Sequence, residues 1–266
     1  MNLKKRFLLA ISSACVAGAA SSEAATVASG DLIVGFRALS GQGAGTSYVV
    51  SIGQASLYRD ADSTVTVSTT GGTYNRGDIG ADLVSIYGAN WSTRTDLVWA
   101  IVGTTGASDI YGSRAETTPG TVPAAWVFNT SGARSTVSGN ITNVIGIGLP
   151  GGLDDATAMA GGIYGGREAD GSANAWRGYL GAGGVAGQAG ATGNTDFGAF
   201  PGDIEGNVTQ SLSLFNITGN GSANSSYVGS FSISSNGTIT MVPEPSSLFA
   251  LLGGSALLIS RRRRSA

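Results

Sequence analysis

The sequence predicts an all-β protein: a β-sandwich-like domain of short antiparallel strands joined by long glycine-rich loops. Three observations carry that expectation. The apolar runs are short and bounded by Gly, Ser, Thr or Asn, which is the punctuation of strands and turns. No long helical period runs through the central region, residues 26–241. That region also holds 40 of the 43 glycines, more than twice the ordinary share of roughly 7%.

Taken in order, Leu32-Ile33-Val34-Gly35-Phe36 reads as a buried strand and Tyr48-Val49-Val50-Ser51-Ile52 as a second. Val65 and Val67 alternate with Thr64, Thr66 and Ser68, predicting a half-exposed strand. Asp78 or Asp82 caps a short helix through Leu83, Val84, Ile86 and Tyr87 that stops at Gly88. Leu97 to Val102 is the most apolar internal run and the candidate central strand, with Trp99 in the core. Trp126-Val127-Phe128 and Ile141 to Ile147 are expected as further strands. From 148 to 202 the pattern dissolves into glycine-punctuated loop, apart from a brief helix from Asp154 to Ala160.

The last part of the region is a hairpin. Phe231 and Ile233 alternate with serines, and Ile239 and Met241 follow Ser235-Asn236-Gly237. A two-residue Asn-Gly turn would put the two apolar sets on opposite faces, because a one-residue slip flips every side chain. A three-residue loop pairs Ile233 with Ile239 and Phe231 with Met241, and requires a left-handed Gly237.

The two ends of the chain carry addresses. Lys4, Lys5 and Arg6 precede an apolar run from Phe7 to Ala20 and the small residues Ser22, Ala24 and Ala25. That is the layout of a secretory signal peptide over residues 1–25, cleaved after Ala24 or Ala25. At the other end, Val242-Pro243-Glu244-Pro245 leads into an apolar run and then Arg261, Arg262, Arg263 and Arg264. The span 246–260 has 15 residues. A helix of that length covers about 22 Å at 1.5 Å per residue, short of the roughly 20 residues a comfortable crossing needs. It reads as a marginal transmembrane helix suited to temporary holding, with the arginines as a stop on the cytoplasmic side.

Val-Pro-Glu-Pro, a short apolar run and a terminal arginine cluster, in that order, resemble the PEP-CTERM sorting signal. The resemblance implies recognition by an intramembrane exosortase, which cuts near the Pro-Glu-Pro region and re-attaches the body elsewhere. It further implies a Gram-negative envelope, an inner-membrane-anchored precursor, and a destination at the outer surface or in a polysaccharide matrix or biofilm. Several stretches of the central region are similar to PEP-CTERM bodies, among them Gly30 to Phe36, Tyr87 to Trp91 and Tyr227 to Thr240. That similarity implies no activity.

Composition bounds the chemistry. The central region has eight arginines, no lysine and fifteen acids, so its net charge is about −7 although the whole chain stands at −2. Such a body is a poor partner for nucleic acid or anionic lipid. Cys15 is the single cysteine and lies in the signal segment, and histidine is absent. Disulfides, thiol nucleophiles and Ser-His-Asp triads are therefore unavailable to the body.

Carboxylates remain. Asp154, Asp155, Glu168, Asp170, Asp196, Asp203 and Glu205 are candidates for a glycosidase pair, or else plain turn caps and solvated acids. Asp60-Ala61-Asp62 and Glu168-Ala169-Asp170-Gly171 carry calcium-type oxygen donors without the spacing of a twelve-residue calcium loop. Trp91, Trp126, Trp176 and Tyr179 are candidate sugar-stacking aromatics, or else core anchors.

The expectation is thus a non-enzymatic exported envelope or matrix protein with no catalytic residues and no cofactor. Its partners would be signal peptidase, an exosortase, transiently the cytoplasmic membrane, and extracellular polysaccharide. A carbohydrate- or calcium-binding module and a carboxylate glycosidase are the alternatives.

Overall fold

The structure is a computed structural model that describes residues 28–67, 77–146, 165–169, 175–180 and 195–244. The expected signal peptide, the helix from Asp154 to Ala160, Pro245, the 246–260 membrane segment and Arg261–Arg264 lie outside the described residues. Among the described residues no helix is long and apolar enough to cross a membrane.

Among the described residues, ten antiparallel strands make the protein mostly β, an all-β class. They are β1 (Asp31–Ala38), β2 (Thr46–Gln54), β3 (Val65–Val67), β4 (Leu97–Gly106), β5 (Asp109–Ala115), β6 (Gly165–Ala169), β7 (Gly206–Asn207), β8 (Leu212–Ile217), β9 (Ser225–Ile233) and β10 (Ile239–Pro243). Their order is β3-β10-β9-β8-β5-β4-β1-β2-β6, with β7 paired to β4. A sandwich would have two separately bonded sheets; here the strands form one sheet that curls on itself.

Alternation along the strands feeds two cores. Leu32, Val34 and Phe36 of β1 join Tyr48, Val50 and Ile52 of β2, Leu97, Trp99 and Ile101 of β4, Leu212 and Leu214 of β8, and Phe231, Ile239 and Met241 of β9 and β10. This cluster draws on both ends of the strand order, so it fills the inside of the curl. Val65 and Val67 belong to it too, with Thr66 between them only partly buried, the alternation expected of a half-exposed strand. The opposite side chains, Ile33, Val49, Ala100, Val102, Ile110, Phe215 and Ile217, form a second core on the outer face. Covering on both faces is why β1 is buried at all eight positions and reads as a continuous apolar run rather than an alternating one.

Two helices close the inside. In α1 (Ser56–Arg59), Tyr58 donates from its hydroxyl to the Ile52 carbonyl at 2.6 Å and packs on Phe231 with ring centroids 5.4 Å apart. In α2 (Ile79–Tyr87), Asp78 is the cap, its carboxylate accepting from Ala81 N at 2.9 Å. Asp82, the other candidate cap, instead accepts from the buried Tyr48 hydroxyl at 2.7 Å. Gly88 ends the helix with φ +91°.

The outer core departs from expectation in two places. Ile141 to Ile147 was expected as a strand, yet Ser131–Gly146 forms α3. Val137, Ile141 and Val144 are spaced four and three residues apart and all point into the outer core, so the β-branched composition misleads and the helical period prevails. Thr130 caps the helix by accepting from Ala133 N at 3.1 Å. Trp126-Val127-Phe128 is irregular rather than a strand. Trp126 and Phe128 are instead anchors, packing on Phe200 at ring centroid separations of 5.6 and 5.5 Å. Strand β6 also lies within the segment expected to be loop, pairing Gly165 to Ala169 with Val50 to Thr46.

The C-terminal hairpin has the expected register: Ile233 pairs with Ile239 and Phe231 with Met241. Ser234 N donates to Thr238 O at 3.0 Å across a three-residue loop in which Gly237 has φ +81°. A Cβ on Gly237 would overlap the backbone of Gly80, so this turn is seated directly on the first turn of α2.

A Cβ on Gly35 of β1 would overlap the Trp176 indole. Gly35→Ala should therefore destabilise the protein by about 1–3 kcal/mol or more through overpacking. Gly139, exposed in α3, has nothing within 4 Å of an added Cβ. Gly139→Ala should stabilise by about 0.5–1 kcal/mol through helix propensity. Urea unfolding of the two variants checks both signs.

Candidate functional site

The Val-Pro-Glu-Pro segment begins inside the sheet. Val242 pairs with Ser230 and Pro243 with Gly229, and Glu244 N donates to the Val228 carbonyl at 3.3 Å. The expected boundary at 241/242 therefore falls within β10. On its other side β10 is covered by β3 only from Ile239 to Met241, so Val242 to Glu244 run past the end of β3. Val242 is 53% exposed while Met241 beside it is 1% exposed. Antiparallel pairing alternates the direction of successive N–H groups. With the Glu244 N–H aimed at β9, position 243 aims the other way, where β3 has ended. Proline fits there without leaving a ladder bond unmade. Close pairing also depends on Gly229, since a Cβ there would lie 2.7 Å from the Val242 carbonyl oxygen.

The candidate acids come together only in part, and around an arginine. Phe197, Phe200 and Ile204 pack into the outer core, and the chain then enters the sheet as β7 beside β4. Ser113 Oγ donates to Ile204 O at 2.8 Å, and Ile204 N donates to Asp196 Oδ2 at 2.9 Å. This stitching brings Glu205 to Arg37 of β1. Arg37 Nε donates to Glu205 Oε1 at 2.8 Å and Nη2 donates to Oε2, with the side chains 3% and 7% exposed. Asp203 is exposed and accepts from Glu205 N at 3.0 Å as a turn cap. So Asp196 and Asp203 serve backbone geometry and Glu205 neutralises a buried guanidinium. A glycosidase pair would need two carboxyls facing an open sugar site. The Glu168 backbone pairs with Ser47 in β6, and Asp154, Asp155 and Asp170 lie outside the described residues.

One cation faces three acids in this cluster. Burial outweighs the opposing pull of the Arg37 contacts and, with Asp196 and Asp203 adding to it, holds the Glu205 carboxyl up at about 6. Burial opposes the Arg37 charge too, but the Glu205 hydrogen bond and charge more than offset it, so the guanidinium stays above its ordinary range.

Nothing in the sequence marks Arg37 and Glu205, 168 positions apart, as a pair. The available signal was Arg37 directly after the apolar run Leu32 to Phe36, a charge that a buried site must neutralise. Other buried acids are satisfied by neutral donors. Glu116 Oε1 accepts from Ser213 and Ser230 hydroxyls at 2.9 and 2.6 Å, and its Oε2 accepts from Gly120 N at 2.9 Å.

The candidate stacking aromatics are core. Trp91, Trp126, Trp176 and Tyr179 are 1%, 2%, 0% and 0% exposed. Trp91 is in the inner core and the other three in the outer. Tyr179 stacks on Phe197 at a centroid distance of 5.6 Å, and Arg114 lies 4.9 Å over the Trp126 ring. In the candidate calcium segment, both Asp60 oxygens accept from the Arg59 guanidinium, at 2.8 and 3.0 Å. Among the described residues no three acids gather as a metal site.

A carboxyl whose folded pKa of about 6 exceeds its unfolded value of 4.5 binds its proton more tightly in the native state. Its burial therefore costs stability above about pH 6, and the cost is relieved as pH falls through the 6 to 4.5 window. Wild type should gain up to about 2 kcal/mol relative to Glu205→Gln between pH 7 and pH 4.5, from a shift of 1.36 kcal/mol per unit. Urea unfolding of both proteins at the two pH values checks this. Arg37→Ala should cost about 3–5 kcal/mol at pH 7 by stranding the buried carboxylate. Comparison of the chain with family models, with curated proteins and with solved structures finds no match.

Proposed function

We propose that this protein is an exported envelope or extracellular-matrix component, delivered through its C-terminal signal by an exosortase and structural in its final location. The observation that carries the proposal is the continuous run from β10 through Val242-Pro243-Glu244-Pro245 to the apolar segment and Arg261–Arg264. The N-terminal signal layout agrees with it independently. Basic residues at both ends hold those ends in the cytosol, so the 28–244 body is pushed across the membrane. The precursor is then a folded β domain flanked by a cleaved signal peptide and a short membrane helix over 246–260.

The acidic, lysine-free body suits a matrix setting, where repulsion between like-charged copies limits aggregation. A structural role is supported by the state of the candidate chemical groups. The described aromatics proposed for sugar stacking are buried, and the described acids of the 196–205 segment are engaged in capping and ion pairing. No specific observation favours the binding-module or glycosidase alternative over this reading.

Because Val242 and Pro243 are sheet residues, a deletion that tests the tail must start at 245. Removing 245–266 should leave the thermal stability of the body unchanged while abolishing its retention and sorting. Cell fractionation should move the protein from the membrane and outer-surface fractions to the soluble periplasm. Unchanged location and processing would overturn the proposal.

A further inference from the structure

We infer that the sheet seals the first half of the sorting motif, so that the backbone is cut at or beyond the Glu244–Pro245 bond, on the folded body, and β10 stays whole in the released protein. The inference rests on the sorting reading proposed above and adds where processing takes place.

The argument is one of hydrogen-bonding groups. Enzymes and peptide-binding domains that take an extended peptide bond the alternating N–H and C=O groups along one of its edges. From Val242 to Glu244 the inner edge is already bonded to β9, through the Val242–Ser230 and Pro243–Gly229 pairs and the Glu244 N–H to Val228 O bond. Among the described residues, β3 pairs with the outer edge only as far as Met241. At its centre, though, that edge offers Pro243, which has no N–H to give. Either edge is therefore a poor handle while the sheet is intact.

Peeling β10 away would release both contacts to β9 and expose Met241 and Ile239, which are 1% and 0% exposed. It would also disturb the hairpin turn seated on Gly80 of α2. The hairpin is thus held at its turn, along its length and up to Glu244. Beyond Glu244 only Pro245 precedes the 246–260 run, so the tether from Glu244 to Ser246 spans at most about 7 Å at roughly 3.3–3.6 Å per residue. No spacer lets a cleft in the membrane reach back into β10. The bond that breaks is a backbone C–N bond. Its acyl carbon passes to water or to an acceptor amine or hydroxyl, and the nitrogen leaves on the tail with that nucleophile's proton.

The test is the intact mass of the full chain after expression in cells that carry the sorting machinery, with hydrogen exchange on the unprocessed full chain in detergent. The released form should end at Glu244 or later, and the Val242 and Glu244 amides should exchange as slowly as that of Thr240, which pairs with Ser232 on the same edge. A product ending at Pro243 or earlier, or Val242 and Glu244 amides exchanging at open-chain rates, would overturn the inference while leaving sorting intact. A product that keeps Arg261–Arg264 would instead overturn the sorting reading, and the processing step with it.

Discussion

Burial on both faces of one sheet is the constraint on which the rest depends. With a single cysteine and no histidine in the chain, no intrachain disulfide or histidine-bound metal can staple the fold. Apolar burial, at about 25 cal/mol per Å², has to supply the stability. A flat ten-stranded sheet would leave its edge strands and one face in water. By curling, the sheet brings Phe231, Ile239 and Met241 from one end of the strand order onto the same inner core as Phe36, Tyr48 and Val50 from the other. The outer face is then covered by α3 and three short segments that carry Trp126, Trp176 and Phe200.

Glycine makes that close layering possible. The central strands contain Gly35 and Gly112, and the aromatic rings of Trp176 and Phe200 lie where those residues would otherwise carry Cβ atoms. The glycine content that first suggested loops is therefore partly a packing device inside strands. The same device operates at Gly229, where the last strand closes on its neighbour, and between Gly80 and Gly237, where the hairpin meets α2.

Charge is handled with equal economy. Buried acids outnumber the cations near them, and several are satisfied by hydroxyls and amides, as Glu116 is by Ser213, Ser230 and Gly120. Arg37 and Glu205 form a fully desolvated pair, whose value is in fixing position more than in net stability. It locks the 196–207 segment onto β1. Acids that looked available for catalysis are thus part of how the outer layer is pinned down, and Val242 and Pro243 are drawn into the same logic because they complete β10.

How much of this was legible in the sequence depends on the range of the interaction. The strands at 32–36, 48–52, 65–67 and 97–102, the α2 helix with its Asp78 cap and Gly88 stop, and the hairpin register around Gly237 all follow from local alternation and turn chemistry. The basic and apolar layout of the two ends is likewise read from contiguous residues. What depended on distant partners was not legible. Ile141 to Ile147 reads as β-rich until the sheet face beneath it selects a helical spacing. Trp126 reads as a strand or a surface aromatic until Phe200 arrives from 74 positions away. The strand order, the curl, the Arg37–Glu205 pairing and the seating of Val242 to Glu244 on β9 were decided by tertiary structure alone. Each is a contact between segments far apart in the chain, and local propensity carries no information about which of them will meet.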